Sequence, residues 1–304
     1  MATEERSTSG PSAGTGTGGR EWVAALPAEL AGQRAILTRL LDHCAADPRV
    51  TWLAIGCSLG RAAADRLSDL DLAAGLAPAG FDATLADLRR AVDGLGDLVE
   101  TLQHHYPGAT GPYTRIFAQY ADRCQVDLVV MADSEDVGTV PNLVVLHDPG
   151  DRLTIRDATD PVTPDQVREW AFLGWCALAD LGKYLRRGSR WEARSRLEEA
   201  RAQLWKLQAA AGGVAQPQYG LTSILDFAPG RVAEREMAAT VAGLEAGALL
   251  VAGRNLARLL AEAGAGLDPG QRAALPAAMA RYITADLAGL AAELGPDMGA
   301  PARA

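Results

Sequence analysis

A change of periodicity near residue 160 constrains this chain more than any other feature. Before it, short β-branched and aromatic runs alternate with helical spacings; after it, only helical spacing remains. The changeover falls just before Thr163-Pro164-Asp165-Gln166, a capping box with Pro at the first helical position. Such a chain should build two bodies. The first is an α/β (α+β) domain over residues 21–160, a mixed sheet with helices packed on it; the second is an all-helical, antiparallel bundle over 161–295. At 304 residues both can bury a core. Residues 1–20 carry almost no apolar side chains and should be a disordered tail. Residues 296–304 are expected to be a flexible one.

Within the first body, Pro27 to Ala46 is expected as a helix, with Leu30, Ile36, Leu37, Leu40 and Leu41 on its apolar side. Val50 to Ile55 predicts a strand ended by Gly56, and Leu70 to Ala74 a second. Phe81 to Val92 has helical spacing, while Leu98 to Leu102, Tyr113 to Tyr120 and Gln125 to Met131 look extended. The turn 121–124 joins the last two as a hairpin. Asn142 to Leu146 is one more strand, stopped by Asp148-Pro149-Gly150. In the second body, helices should start at Thr163, at a second capping box beginning with Ser189, and at Asp268. Arg231 to Glu262 should be helical with a break near Gly247 or Gly253. Trp170, Trp175, Trp191 and Trp205 fall at helical positions expected in the core.

Composition excludes some functions. The net charge of −9 argues against a protein that wraps nucleic acid, which needs clustered Lys and Arg. Cys44, Cys57, Cys124 and Cys176 form no CxxC pair, so neither a zinc site nor a disulfide framework is expected, and a reduced, cytoplasmic compartment fits. There is no basic segment followed by an apolar stretch at the N-terminus and no apolar run long enough for a membrane partner.

One segment carries chemistry: Gly56-Cys57-Ser58-Leu59-Gly60-Arg61, then seven residues to Ser68-Asp69-Leu70-Asp71-Leu72. Asp69 and Asp71 are two apart on an expected strand, so their carboxylates leave the same face. Two anions that close repel unless a cation lies between them, and all-oxygen ligands suit magnesium. A Gly-containing turn at the end of a strand can cradle phosphate oxygens. A solvated strand edge explains an Asp-x-Asp pair taken alone, and a Gly-x-Ser turn alone says little. The order and spacing of the two together are what call for a functional reading.

This segment resembles the signature of the polymerase-β-type nucleotidyltransferase superfamily: a Gly-Ser turn and Arg, then Ser-Asp-x-Asp followed by an apolar residue. Cys57 departs from it, standing where the family has the glycine before Ser58; Gly56 is expected to supply the turn's freedom from one position earlier. The family needs a third carboxylate from a neighbouring strand. Asp127, a charge inside the apolar run 125–130, answers that need, against the plainer reading of an edge-strand surface residue. A sheet domain followed by helices is also similar to the aminoglycoside and lincosamide nucleotidyltransferases.

The resemblance implies transfer of a nucleoside monophosphate from a nucleoside triphosphate, with ATP the expected donor, to a hydroxyl of a small molecule such as an aminoglycoside-like antibiotic. It implies two magnesium ions on Asp69, Asp71 and Asp127, with Asp127 also the candidate general base. Gly56, Ser58, Arg61 and Ser68 would bind nucleotide, the two serines through the β- and γ-phosphates. Lys183 and Arg187, together with Arg186, would reach the triphosphate from the helical domain, although cations are also favoured at any helix C-terminus. The helical half should then be required for turnover. Two other readings stand beside this one: modification of a protein or RNA, as in toxin–antitoxin systems, and a catalytically inactive nucleotide-binding homologue. His104 and His105 have no companion ligands and should lie in a loop or strand end; His147-Asp148 should form a strand-end turn.

Overall fold

The computed structural model describes residues 18–107, 112–133, 143–153, 161–228, 230 and 234–294. The described chain is mixed α/β with a larger share of helix, and it divides into two compact units, Met1–Thr159 and Asp160–Ala304. Each unit has its own apolar core. The expected tails over 1–17 and 296–304 lie outside the described residues. Gly18–Ala24 forms a first helix, α1, so residues 18–20 belong to the folded unit.

The first unit is built on β1 (Val50–Ile55), β2 (Leu70–Leu76), β3 (Leu98–Tyr106), β4 (Tyr113–Tyr120), β5 (Gln125–Ala132) and β6 (Val144–His147). They form one mixed sheet in the order β3-β4-β5-β2-β1-β6. Only β2 and β5 run parallel, side by side at its middle. Helices α2 (Ala31–Ala46) and α4 (Phe81–Asp93) pack against strands of the sheet. Under them lie fully buried Leu70, Leu76, Val126, Leu128, Val130 and Ile116. Because strand side chains alternate, the intervening residues of β2, β4 and β5 leave the other face, and Asp71, Asp127, Arg115 and Phe117 are half-buried or exposed there.

Three local expectations are corrected here. The segment before α2 is a short 3-10 turn at Ala28–Leu30, with the α-helix beginning only at Ala31. The strand expected over Leu98 to Leu102 is β3, which runs on to Tyr106 because the full length of β4 is available to pair with it, and His104 and His105 fall at its end as expected. The last strand starts at Val144, and Asn142 lies outside the described residues. The turn at Asp148 is as expected: its carboxylate accepts hydrogen bonds from the backbone N–H groups of Arg152 and Leu153, both at 2.8 Å.

The second unit consists of α5 (Pro164–Arg186), α6 (Arg190–Ala211), α7 (Leu221–Phe227), α8 (Glu234–Ala238), α9 (Ala246–Ala265), α10 (Pro269–Ala273) and α11 (Ala277–Leu294). Thr163 closes the complete capping box with Gln166. Ser189 does not cap: at ψ 78° it lacks the extended ψ seen at Thr163 (154°) and Asp268 (162°). Its N–H instead donates to the Tyr184 carbonyl in the tight link after α5. Trp170, Trp175 and Trp205 are buried, whereas Trp191 is 70% exposed on the first turn of α6. Arg231 lies outside the described residues. The helical break comes before Ala246, and Gly253 stays within α9. A Cβ there would sit 2.3 Å from Leu181 Cδ2, so this glycine lets α9 close on α5. Packing thereby outweighs the cost of about 1 kcal/mol for glycine in a helix. Among the described residues no helix is long and apolar enough to cross a membrane.

Candidate active site

The parallel pairing of β2 with β5 puts Asp71 directly beside Asp127 in register. Neighbouring strands are about 5 Å apart, so two carboxylates meet on one face at the middle of the sheet. Asp69 stands just before β2 and is exposed. Burial and then the Asp127 charge raise Asp69 above the ordinary carboxylate range. Burial, then the Asp127 charge and to a lesser degree the Asp69 charge raise Asp71, partly opposed by a hydrogen bond from the Cys57 thiol and by the Arg115 charge. The three acids named from sequence are therefore coupled in space, although 58 positions separate Asp69 from Asp127 along the chain (127 − 69).

The turn before them is held to the same strand. The Gly56 N–H donates to the Asp71 carbonyl at 2.9 Å, and Cys57–Gly60 forms a single helical turn, α3, containing Ser58. The freedom expected of Gly56 is needed at Cys57 instead. Cys57 has φ +52°, in the left-handed region, while Gly56 is extended at φ −130°. A glycine at position 57 would relieve that conformation. An L-residue there costs about 1–2 kcal/mol, partly offset by the added entropy of an unfolded glycine. Cys57→Gly is accordingly expected to melt above Cys57→Ala, which loses the same thiol but keeps the Cβ. Melting curves of the two variants check this, and Ala equal to or above Gly would refute it.

Arg115 was not legible as a site residue, yet it pairs directly with one of the three carboxylates. It lies on β4, and its Nε and Nη2 both bond the Asp127 carboxylate in a fork. The available signal was the alternation of Tyr113, Arg115 and Phe117 along an extended run, which places them all on the Asp127 face. Carboxylates repel one another, and Asp127 is drawn to this guanidinium. As the side chains stand, no group of three His, Cys, Asp or Glu among the described residues is gathered tightly enough to hold a metal. In donor chemistry the cluster nevertheless fits magnesium: all its ligands are carboxylate oxygens, two of them on paired strands, and the acids are mutually strained.

The remaining sequence candidates separate. Ser58 lies within the α3 turn and Arg61 is its C-cap. The Ser68 hydroxyl is already engaged, accepting from the Asp65 N–H at 2.9 Å, while its carbonyl accepts from Gln33 Nε2 at 3.1 Å. Lys183 and Arg187 belong to the second unit. Lys183 pairs with Asp180 one turn back and lies 4.7 Å from the Tyr184 ring centroid; Arg187 is the exposed C-cap of α5. The Lys183 contacts all fall within its own helix, as they would at a solvated helix end.

The raised Asp71 predicts a pH signature. A carboxyl whose folded pKa exceeds its unfolded one takes up its proton at a higher pH when folded. Its ionisation therefore costs stability as pH rises through that interval, and the cost is complete at neutral pH. Without divalent cations, Asp71→Asn should melt higher than the parent at pH 7, and the gap should close as pH falls through the carboxylate range. Equal melting at pH 7 would show that Asp71 carries no such strain.

The described fold is thus a mixed-sheet unit bearing an acidic cluster, followed by a helical unit. No family model matches the chain, and no curated protein matches it. Among solved structures, an aminoglycoside 6-adenyltransferase from Bacillus subtilis is similar at 13% identity, covering 88% of this chain and 99% of that one, with a TM-score of 0.33. Agreement that loose bears on neither fold nor chemistry.

Proposed function

We propose that this chain is a metal-dependent nucleotidyltransferase, moving a nucleoside monophosphate from a triphosphate such as ATP to a hydroxyl of a small molecule and releasing pyrophosphate. The acceptor class named by the sequence resemblance is aminoglycoside-like. The observation that carries the reading is the in-register pairing of Asp71 with Asp127, next to Asp69 and to the turn that bears Ser58. Asp69, Asp71 and Asp127 would hold the cation. Magnesium bound there supplies charge neutralisation for the triphosphate and the departing pyrophosphate. Ser58 and the backbone of its turn lie where phosphate oxygens would be oriented. Asp127 would receive the acceptor's proton, with Arg115 holding it until then.

Calorimetry with ATP tests this. Three carboxylates repel a triphosphate unless a divalent cation lies between them, so binding should be weak without magnesium and strengthen by at least tenfold with it. Equal affinity in both conditions would remove the metal site. The fork of Arg115 on Asp127 favours one other reading, a nucleotide-binding protein without turnover. Magnesium-dependent ATP binding with no pyrophosphate release across a panel of hydroxyl acceptors would establish that reading in place of ours.

A further inference from the structure

The acidic cluster has a neighbour on the same sheet face. A cavity of about 220 Å³ lies over β3 and β4, lined by Leu102, His104, Tyr106, Arg115 and Phe117. The pairing of the strands makes it continuous with the site. Phe117 is the register partner of Asp127 on one side and of Leu102 on the other, and His104 pairs with Arg115. Arg115 links the two directly, forming one wall of the cavity while bonding Asp127. The aromatic wall is organised in advance: Tyr106 stacks on Tyr113 with ring centroids 5.0 Å apart, and its hydroxyl is 3.3 Å from His104 Nδ1.

We infer that this cavity seats the ring of the hydroxyl-bearing acceptor, and that this ring is flat and uncharged. The inference rests on the nucleotidyltransferase reading above. The sheet order supplies the direction. The Ser58 turn follows β1, the carboxylates stand on β2 and β5, and the cavity lies over β4 and β3, so the three are arranged in sequence across the sheet. In the transfer, the acceptor oxygen bonds the α-phosphorus while the bond from that phosphorus to the pyrophosphate oxygen breaks. The hydroxyl proton passes to Asp127, and pyrophosphate leaves with the bond's electron pair. Attacking and leaving oxygens lie in line. With pyrophosphate on the β1 side, the acceptor must approach from β4 and β3.

Size and chemistry define the occupant. At about 220 Å³ and open to solvent on one side, it has room for a single six-membered ring laid against its walls. Leu102, Tyr106 and Phe117 give it an apolar and aromatic surface suited to stacking, with His104 and Arg115 beside them. No carboxylate lines it, and its one permanently charged group is the Arg115 cation. A polycationic aminosugar finds no counter-charge in this lining, so the acceptor inferred for it differs from the aminoglycoside-like one that the sequence resemblance names.

Fluorine NMR of 4-fluorophenol with the full chain tests this, comparing the parent with Leu102→Trp, whose indole would fill the cavity from a position already 56% exposed. Line broadening at millimolar probe is expected in the parent, reduced at least tenfold in Leu102→Trp, and unaffected by glucosamine. Broadening that persists in Leu102→Trp, no broadening in the parent, or displacement by glucosamine overturns the inference. Displacement by adenosine also overturns it, assigning the cavity to the nucleobase. Magnesium-dependent ATP binding reads the nucleotide site independently. Loss of ring binding with ATP binding intact removes the acceptor seat alone; ring binding without magnesium-dependent ATP binding removes the nucleotidyltransferase reading.

Discussion

Asp127→Asn is expected to lower nucleotidyl transfer by at least about 10²- to 10⁴-fold, the usual worth of general-base catalysis, while leaving the melting temperature nearly unchanged. The first expectation follows from its place beside Asp71 in the parallel register, where it can both bind a cation and take a proton. The second follows from its partner. Arg115 is 46% exposed in its side chain, and ion pairs with an exposed member contribute about 0–1 kcal/mol. Asn keeps the shape and one acceptor oxygen for the guanidinium. Asp127→Glu should restore part of the rate, since it returns the charge at a longer reach. Steady-state kinetics with any acceptor found active decides the matter. Near-parental turnover in the Asn variant would take Asp127 out of the site.

The next residue should behave in the opposite way. Leu128 is fully buried on the helix-covered face of the same strand, and Leu128→Ala is expected to cost about 2–5 kcal/mol through lost burial and the cavity left behind. For a unit of this size that lowers the melting temperature by about 5–20 °C. Turnover at a temperature where the variant is still folded should stay within a few-fold of the parent, because Leu128 does not reach the carboxylate face. A loss below about 1 kcal/mol would contradict the assignment of faces. Measured together, the two variants separate a residue that carries chemistry from one that carries the fold, at adjacent positions on one strand.

Much of the architecture was legible because it depends on local periodicity. The run Gln125 to Met131 alternates about Asp127 and became β5, one residue longer. Thr163 and Gln166 predicted the start of α5, since a capping box is satisfied within four residues. Where the same local sign failed, a neighbour had intervened. Ser189 has the capping-box pattern, but its backbone is committed to closing the turn after α5. Gly253 should weaken a helix, but Leu181 requires the space above it. Trp191 has helical spacing, yet no described helix covers the face it occupies and it remains exposed.

For the candidate site the division is similar. The sequence by itself determined which residue types were present and their local order: a glycine-containing turn, then two aspartates two apart, and a lone charge in an apolar strand. Those are short-range facts, set by which side chains a strand can turn to one face. Only the tertiary structure decided that β5 lies parallel to β2, and so that Asp127 meets Asp71 rather than solvent. It also brought Arg115 from β4 onto Asp127, and set Leu102, His104 and Tyr106 of the edge strand beside both. The left-handed turn at Cys57 belongs to the same category: it follows directly on Gly56, whose N–H is tied to the Asp71 carbonyl across the sheet. Pairing order and register depend on packing across the whole sheet, over distances along the chain that no local pattern encodes.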